Sequence, residues 1–326
     1  MQADLQRGVR TSDGIRLHVA EYGASAHAAD VTVLMLHGWT LDHRLWSRQI
    51  DDLPDRFGGA VRILAIDLRG HGESEGCAAD GTTLDRLADD LAAVLRERAP
   101  EGPVVLVGHS LGGMAILEFA HRYPEEFGRR VRGAALVSSS AEGAAHTNYG
   151  LAPWLSTALR QFETNGAALL AKLGPWRPHR PLMPALWPAV RWLVFGDRVS
   201  CEAMKLTLAM ISCASLRSIG GFRPSISRMN RVDALRALAD VPVAVLVGTR
   251  DRLTPVKCTE AMTAALPHAE LQVLDGCGHM PPLECPDTVT NALAQVCRAA
   301  TRESSIPAQA AAESGSSIPA QPVAVG

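Results

Sequence analysis

The sequence predicts an α/β fold in which a mostly parallel sheet carries helices on both faces. Short apolar runs rich in branched residues alternate with amphipathic segments along most of the 326 residues. Gly, Asp or Pro bounds these runs, as expected for strands buried on both faces. Strand–helix alternation of this kind is typical of α/β proteins. One long segment, residues 141–232, interrupts the pattern and predicts an insertion.

The predicted elements begin with a hairpin. Residues 8–10 and 15–22 flank a Ser-Asp-Gly turn, which predicts two antiparallel strands. Amphipathic helices are predicted where Leu84, Leu87 and Leu91 recur at helical spacing, and over residues 111–123, which end before Pro124. The buried strands are the apolar runs at 31–36, 61–66, 104–107, 134–137 and 241–247, and residues 271–274 are predicted to form a further core strand.

The inserted segment is rich in Pro, Trp and Arg and shows no strand pattern, which predicts a mainly helical lid over residues 141–232. Four of the six tryptophans lie there, and we expect them to pack inside the lid or against the body. Residues 1–140 and 233–300 then form the core domain. Residues 301–326 are rich in Ala, Ser, Pro and Gln, and we expect them to be disordered.

The net charge of −2 conceals an uneven distribution. The lid segment carries eleven basic and four acidic residues, a net charge of +7, and the rest of the chain carries −9. The overall balance argues against a dedicated nucleic-acid-binding protein. The basic lid is consistent with an anionic substrate, an acidic carrier protein or an anionic membrane surface as a partner.

The composition also bears on the compartment. No apolar run reaches the roughly 18 residues of a transmembrane helix, and the first ten residues lack the apolar segment of a secretory signal. The seven cysteines are scattered and include no CxxC pair, which favours free thiols and a cytoplasmic protein. Cys277 and Cys285 lie near His279, but their spacing fits no zinc site, so we expect no metal.

The most specific motif is Gly108-His109-Ser110-Leu111-Gly112, which stands directly between a predicted strand and a predicted helix. This context is that of a nucleophile elbow, where small residues flank a serine on a tight turn above the sheet. The turn also places Ser110 at a helix N-terminus, where unpaired amides favour developing negative charge. Ser110 is therefore the candidate nucleophile.

A serine hydroxyl needs a base, and the base needs an acid that orients it. Asp251 follows the strand at 241–247, and His279 follows the strand at 271–274 through a Gly-rich turn. Both stand at the carboxyl ends of core strands, where open α/β sheets place their sites. Glu142, just past the strand at 134–137, is the alternative acid. We prefer Asp251 because its tight loop begins with a glycine.

Two backbone amides are predicted to form an oxyanion hole. One is the N–H of Leu111, the residue after the nucleophile. The other is the N–H of Trp39, in the turn His37-Gly38-Trp39-Thr40 that follows the first buried strand. Gly38 allows the backbone to turn inward at that point.

These motifs together resemble the α/β-hydrolase fold superfamily, in particular its lid-bearing esterases and lipases. The resemblance covers nearly all of residues 8–300 outside the lid and implies an eight-stranded, mostly parallel sheet flanked by helices. It also implies structural roles in turns for His37, Asp67, Arg69 and His71, a packing role for His109 and a loop brace at Glu284. The matching segments are Leu36-His37-Gly38-Trp39, Asp67-Leu68-Arg69-Gly70-His71-Gly72-Glu73-Ser74, Gly108-His109-Ser110-Leu111-Gly112-Gly113, Gly248-Thr249-Arg250-Asp251 and Gly278-His279-Met280-Pro281.

The expected function is a cofactor-free serine hydrolase that cleaves a small-molecule carboxylic ester or thioester through an acyl-enzyme. The substrate is expected to be anionic or carrier-bound if the basic lid contacts it. Acyl transfer, perhydrolysis, C–C bond hydrolysis and a biosynthetic cyclisation or elimination use similar machinery on this fold and remain open. A non-catalytic ligand-binding protein is the alternative from another class, and a complete Ser-His-Asp set argues against it.

Overall fold

The structure is a computed structural model that describes residues 5–313 apart from 144, 148 and 198, with side chains described for residues 8–302. Its strands are β1 Leu5–Arg10, β2 Arg16–Gly23, β3 Val31–Leu36, β4 Val61–Ile66, β5 Val104–His109, β6 Val131–Val137, β7 Val243–Gly248 and β8 Glu270–Leu274. Its α-helices are α1 Ser47–Phe57, α2 Leu84–Arg98, α3 Leu111–Arg122, α4 Pro124–Arg130, α5 Pro153–Lys172, α6 Trp187–Val194, α7 Cys201–Ile211, α8 Leu216–Gly221, α9 Arg223–Arg228, α10 Val256–Ala265, α11 Pro281–Glu284 and α12 Pro286–Glu313.

All eight strands join one sheet in the order β1-β2-β4-β3-β5-β6-β7-β8. The pairs β1–β2 and β2–β4 are antiparallel, and every later pair is parallel. The predicted hairpin and mostly parallel sheet are therefore confirmed. Because β3 and β5 to β8 run the same way, the loops after them meet at one edge of the sheet.

The sheet separates two apolar cores, and successive strand residues alternate between them. Leu34 and Leu36 of β3 face the layer that contains α2 and α3. Val33 and Met35 face the layer that contains α1 and α12. Helix α3, which begins next to Ser110, is buried along almost its whole length, so the residue at its start is held firmly.

Between β6 and β7 the chain forms a helical segment, which we call the insertion. Its helices are α5 to α9, and its described residues include no strand. That this segment is a lid stays a prediction. The expectation that its tryptophans pack is wrong for Trp154 and Trp176, which are about three-quarters exposed at 74% and 76%. Trp192 is 41% exposed but packs against the Arg252 guanidinium of the core, 5.3 Å from its ring, and Trp187 is partly buried against the core.

The C-terminal segment differs in part from the disorder expected for residues 301–326. The backbone of α12 remains helical to Glu313, and residues 314–326 lie outside the described part of the chain. The physical reason is composition, because residues 308–313 include four alanines, the residue with the highest helix propensity. Across the described residues, no helix is long and apolar enough to cross a membrane.

Candidate active site

Ser110 occupies a strained turn between β5 and α3. Its backbone lies at φ 51° and ψ −113°, a conformation that non-glycine residues seldom adopt and that costs roughly 1–3 kcal/mol. The Ser110 N–H donates to the Val137 carbonyl on the neighbouring strand β6 at 2.9 Å. The strained strand-to-helix turn expected of an elbow is therefore present, and a hydrogen bond to the neighbouring strand helps to hold it.

The glycines on either side of Ser110 are required by close backbone approaches. A Cβ at Gly112 would lie 2.3 Å from the Leu36 carbonyl oxygen, and one at Gly108 would lie 2.4 Å from the Gly113 nitrogen. Neither contact is possible without a backbone shift. The small residues of the motif thus allow strand, turn and helix to pack closely enough to form the elbow.

His279 and Asp251 form a buried hydrogen-bonded pair in the loops after β8 and β7. The Nδ1–H of His279 donates to Asp251 Oδ2 over 2.8 Å, and both residues are 5% exposed. With Nδ1 as the donor, Nε2 is the ring nitrogen able to accept a proton. The acid that His279 contacts is thus Asp251, whereas the alternative acid Glu142 pairs with His146 at 2.8 Å.

Thr254 completes the environment of Asp251 and was not singled out by the sequence. Its Oγ1–H donates to Asp251 Oδ2 at 2.9 Å, and the N–H groups of Leu253 and Thr254 both donate to Oδ1 at 2.9 Å. Burial alone would raise the pKa of Asp251, but His279 and these hydrogen bonds outweigh it and lower the pKa. Asp251 is therefore held as a carboxylate. The Asp-x-x-Thr spacing is the signal that would have found Thr254.

His109 connects the elbow to the loop of His279. Its Nε2–H donates to the His279 carbonyl at 2.7 Å, and the two rings lie 4.9 Å apart. Burial, together with the nearby His279, lowers the pKa of His109 to about 3, so its ring is neutral. A Cβ at Gly38 would lie 2.4 Å from His109 Nδ1, which explains why the turn after β3 needs a glycine.

Glu284 braces the same loop, as the sequence predicts. Its Oε1 accepts from the N–H groups of Gly278 and Met280 at 2.9 and 3.1 Å, and its Oε2 accepts from the N–H of Gly196 at 2.7 Å. Burial raises the pKa of Glu284, against the lowering effect of these bonds. The side chain fixes the two residues that flank His279.

The loops after β3 and β4 are tied together by the residues expected to be structural. His37 Nε2 accepts from the Leu68 N–H at 2.9 Å. His71 Nε2 accepts from the Thr40 N–H at 3.3 Å.

Two buried charged residues anchor the same loops. The buried carboxylate of Asp67 accepts from the Nδ1–H groups of His18 and His43. Arg69, also buried, pairs with Asp13 and Asp90. These bonds position the turn that contains Trp39.

A cavity of about 540 Å³ lies above this edge of the sheet. Ser110, His279, Trp39 and Leu111 all line it on the side of the core. The insertion contributes the opposite wall, which is mostly apolar. The principal residues of that wall are Leu170, Pro178, Val190, Leu193, Ile211 and Ile219.

Four of the five predicted site residues line one cavity, and the fifth, Asp251, is joined to it through its hydrogen bond to His279. Leu111 is the first residue of α3, where a helix amide has no acceptor within its own helix. Trp39 lies in the turn after β3, and its indole N–H is directed to the Ser218 carbonyl at 3.4 Å. Both residues line the cavity together with Ser110, and the role of their backbone amides stays a prediction.

The cavity wall also contains a polar cluster of Tyr149, Glu163 and Arg223 that the sequence did not predict. The Tyr149 hydroxyl and Arg223 Nη2 donate to Glu163 Oε2 at 2.6 and 2.8 Å, and Arg223 Nη2 also donates to the Tyr149 hydroxyl oxygen at 3.1 Å. Tyr149 and Arg223 are buried at 1% and 7% exposure. The three residues come from separate parts of the insertion, so no local sequence pattern joins them.

The architecture and the site define the class of protein. The sequence profile of the alpha/beta hydrolase family matches residues 33–292, and the chain belongs to this family. It is 30% identical to a pimeloyl-[acyl-carrier protein] methyl ester esterase of Aromatoleum aromaticum over 261 residues, which cover 78% of this chain and 93% of that protein. The resemblance drawn from the motifs is confirmed.

Solved structures agree with this assignment. A thermophilic esterase from Thermogutta terrifontis superposes with a TM-score of 0.70 at 26% identity, covering 91% of this chain and 99% of that one. A bromoperoxidase from Bacillus anthracis superposes with a TM-score of 0.73 at 18% identity, covering 90% and 100%, and shows the fold alone. The comparisons confirm the predicted class, an ester-hydrolysing enzyme of the alpha/beta hydrolase family.

Proposed function

We propose that this protein hydrolyses a carboxylic ester or thioester through a Ser110–His279–Asp251 triad and an acyl-enzyme. The observation that carries the proposal is the buried Asp251–His279 hydrogen bond of 2.8 Å, at a cavity that the strained Ser110 also lines. The backbone of Ser110 is strained, with a positive φ of 51°, and strained backbone conformations are concentrated at functional positions.

In the first half-reaction the Oγ of Ser110 attacks the carbonyl carbon, and His279 Nε2 accepts the hydroxyl proton. The charge that develops on the carbonyl oxygen is stabilised by the N–H groups of Trp39 and Leu111. The tetrahedral intermediate collapses when the bond to the leaving group breaks, and His279 gives its proton to the departing alcohol or thiol. Asp251 stabilises the imidazolium throughout and holds Nδ1 as the donor.

In the second half-reaction a water molecule attacks the acyl group on Ser110. His279 Nε2 takes a proton from that water, and the two amides again stabilise the oxyanion. When the tetrahedral intermediate collapses, its bond to Ser110 Oγ breaks, His279 returns the proton to that oxygen, and the carboxylic acid is released. His109 and Glu284 support these steps because they fix the loop that contains His279.

The cavity favours an apolar acyl or aryl group, since most of the wall opposite Ser110 is apolar. The relative from Aromatoleum aromaticum acts, by its name, on a methyl ester of an acyl-carrier protein. A substrate panel should therefore contain p-nitrophenyl esters of increasing chain length, matched thioesters and a carrier-bound methyl ester. We expect ester turnover to peak at a chain length set by the cavity.

The variants Ser110→Ala and Asp251→Asn test the assignment. Ser110→Ala should abolish turnover, and Asp251→Asn should lower kcat by roughly 10⁴-fold, because an asparagine in this role favours the wrong histidine tautomer. Glu142→Gln is the matched control and should retain activity. Loss of activity in the Glu142 variant, with activity retained in Asp251→Asn, would overturn the choice of acid.

A further inference from the structure

The insertion exposes an unusual amount of apolar surface. In the described part of the chain, nine of the twelve exposed large apolar side chains fall between residues 154 and 192. They are Trp154, Leu155, Phe162, Leu169, Leu173, Trp176, Leu182, Leu186 and Trp192. Contiguous exposed apolar surface on a soluble domain is typical of an interaction site.

Much of this surface follows one face of α5. Trp154, Ala158, Phe162, Leu169 and Leu173 recur at helical spacing, so they share one stripe of the helix. Only Ser156 and Ala167 are buried along the 20 residues of α5. The helix packs against α8 through its other side.

The contact with α8 explains why the stripe faces outward. A Cβ at Gly220 would lie 2.1 Å from the Ala167 carbonyl oxygen, so the two backbones approach closely through small residues. The large side chains of α5 are thereby left on the opposite side. In this arrangement no described element covers Trp154 or Phe162, which are 74% and 75% exposed.

Positive charge accompanies the apolar stripe. Residues 152–192 contain five Lys/Arg residues and one acidic residue. That acidic residue, Glu163, is engaged by Arg223 at 2.8 Å. None of the five basic side chains forms an ion pair with any residue the structure describes. Lys172 lies on the stripe itself, and Arg177 directly follows the exposed Trp176, so each of these cations is adjacent to exposed apolar side chains.

We propose that this surface docks on an anionic lipid bilayer. We call it the insertion face and define it by Trp154, Phe162, Leu169, Lys172, Trp176 and Arg177. Exposed Trp, Phe and Leu residues flanked by Lys and Arg are the chemistry of helices that lie in a membrane interface. Acidic headgroups attract the cations, and the rings enter the boundary with the acyl chains.

Other occupants fit the face less well. An acidic carrier protein would pair with the cations, but it offers no apolar layer in which the exposed rings of Trp154, Phe162 and Trp176 could be buried. A second copy packed on the same face would bring two cationic surfaces together. The membrane satisfies both the charges and the rings.

The insertion face is also close to the cavity. Helices α5 and α6 expose Leu169 and Trp192 on the outside, while the adjacent residues Leu170 and Leu193 line the cavity. A docked protein would therefore hold the cavity wall at the lipid surface, where esters with apolar chains partition. Docking itself is independent of the proposed reaction, so binding can be tested without any turnover.

Co-sedimentation of the full chain with phosphatidylcholine vesicles, with and without phosphatidylglycerol, tests the proposal. We expect the protein to pellet with the anionic vesicles and to be released as NaCl concentration rises. Replacing Lys172 and Arg177 with Gln should weaken binding to anionic vesicles by roughly fivefold per charge. Arg48→Gln with Arg129→Gln, two exposed arginines outside the insertion, is the matched control and should bind as the wild type does.

Removal of the rings gives the second arm. The triple change Trp154→Ser, Phe162→Ser and Trp176→Ser should lower vesicle binding at least about a hundredfold. Serine at the exposed positions Val232, Leu271 and Val273 should have no such effect. Circular dichroism checks that each variant is folded.

Three results would overturn the proposal. The first is a wild-type chain that pellets with neither vesicle. The second is a ring variant that binds as well as the wild type. The third is a wild-type chain that does not bind vesicles but forms another complex through the same rings. That complex would be a dimer seen in sedimentation velocity, or a complex with an acidic acyl-carrier protein, that the triple ring variant dissociates.

Discussion

Glu284 shows how much of the site depends on a single side chain that does not touch the substrate. It accepts three backbone N–H bonds from the loop of His279 and from Gly196. Glu284→Ala leaves these buried amides without a partner and should lower the free energy of unfolding by about 3 kcal/mol or more. Urea unfolding followed by circular dichroism measures the loss.

The conservative variant separates hydrogen bonding from packing. Glu284→Gln keeps one carbonyl oxygen, which can still accept from Gly278 and Met280 at the position of Oε1. It should therefore lose clearly less stability than Glu284→Ala. Equal losses in the two variants would show that the brace does not act through these bonds.

Residues whose role is local could be predicted from the sequence. Ser110, Asp251 and His279 stand in short motifs at strand ends, and the spacing of each motif determines its turn. The cluster of Tyr149, Glu163 and Arg223 could not be predicted, because its members meet only through the packing of helices in the insertion. Thr254 is intermediate in predictability. The residue to which its hydroxyl donates, Asp251, is only three positions away in the sequence, although the pair was not predicted.

At the scale of elements, the elbow depends on how closely α3 approaches β3 and β5. A Cβ at Gly112 would meet the Leu36 carbonyl oxygen at 2.3 Å. We therefore expect Gly112→Ala to destabilise the protein by about 3 kcal/mol or more, because backbone must move to relieve the clash. Thermal unfolding of the purified variant measures the effect.

Gly128 in α4 is the matched control, because a Cβ there has no atom within 4 Å. Gly128→Ala should be neutral or stabilising by up to about 1 kcal/mol, as alanine favours the helix. If Gly112→Ala were as stable as Gly128→Ala, the close approach described for the elbow would be incorrect.

Strand and helix positions in the core could be predicted closely, because each buried strand is a nearly continuous apolar run. The bounds of β3 and β4 are those of the predicted runs, Val31–Leu36 and Val61–Ile66. The insertion is predicted as helical, but the expected burial of Trp154 and Trp176 is wrong. Composition indicates that a tryptophan is apolar, whereas the exposure of Trp154 depends on which face of α5 the close contact with α8 selects.

At the scale of the whole molecule, pH should act through histidines that are buried in a neutral form. Burial, with the adjacent His37, lowers the pKa of His71 to about 3, and an unfolded histidine titrates near 6.5. As the pH falls below about 6.5, His71 binds a proton in the unfolded chain but stays neutral in the folded protein. Stability is therefore lost on acidification, and the loss continues until the pH approaches the folded pKa.

The His71→Gln variant isolates this contribution. Between pH 6.5 and 5 the wild type should lose about 2 kcal/mol more than the variant in urea unfolding. The exposed residue His27 provides the control for the substitution itself, since His27→Gln should leave the free energy of unfolding at neutral pH unchanged. Parallel losses in wild type and His71→Gln would contradict the neutral buried state.

The molecule as a whole combines an acidic core domain with a basic insertion of net charge +7. That asymmetry could be read from the sequence, and the structure adds that exposed rings accompany the charge. The insertion contributes one wall of the cavity and the core contributes the elbow and the Asp–His pair. Under the proposed function, the insertion would select the substrate and the core would perform the chemistry.

Covalent labelling tests whether Ser110 is a nucleophile activated by His279. The folded protein is treated with a fluorophosphonate probe, and the modified residue is located by peptide mass spectrometry. We expect one adduct on Ser110, strongly slowed labelling in His279→Ala and none in Ser110→Ala. A folded wild-type protein that stays unlabelled, or that carries its adduct on another residue, would show that Ser110 does not have this role.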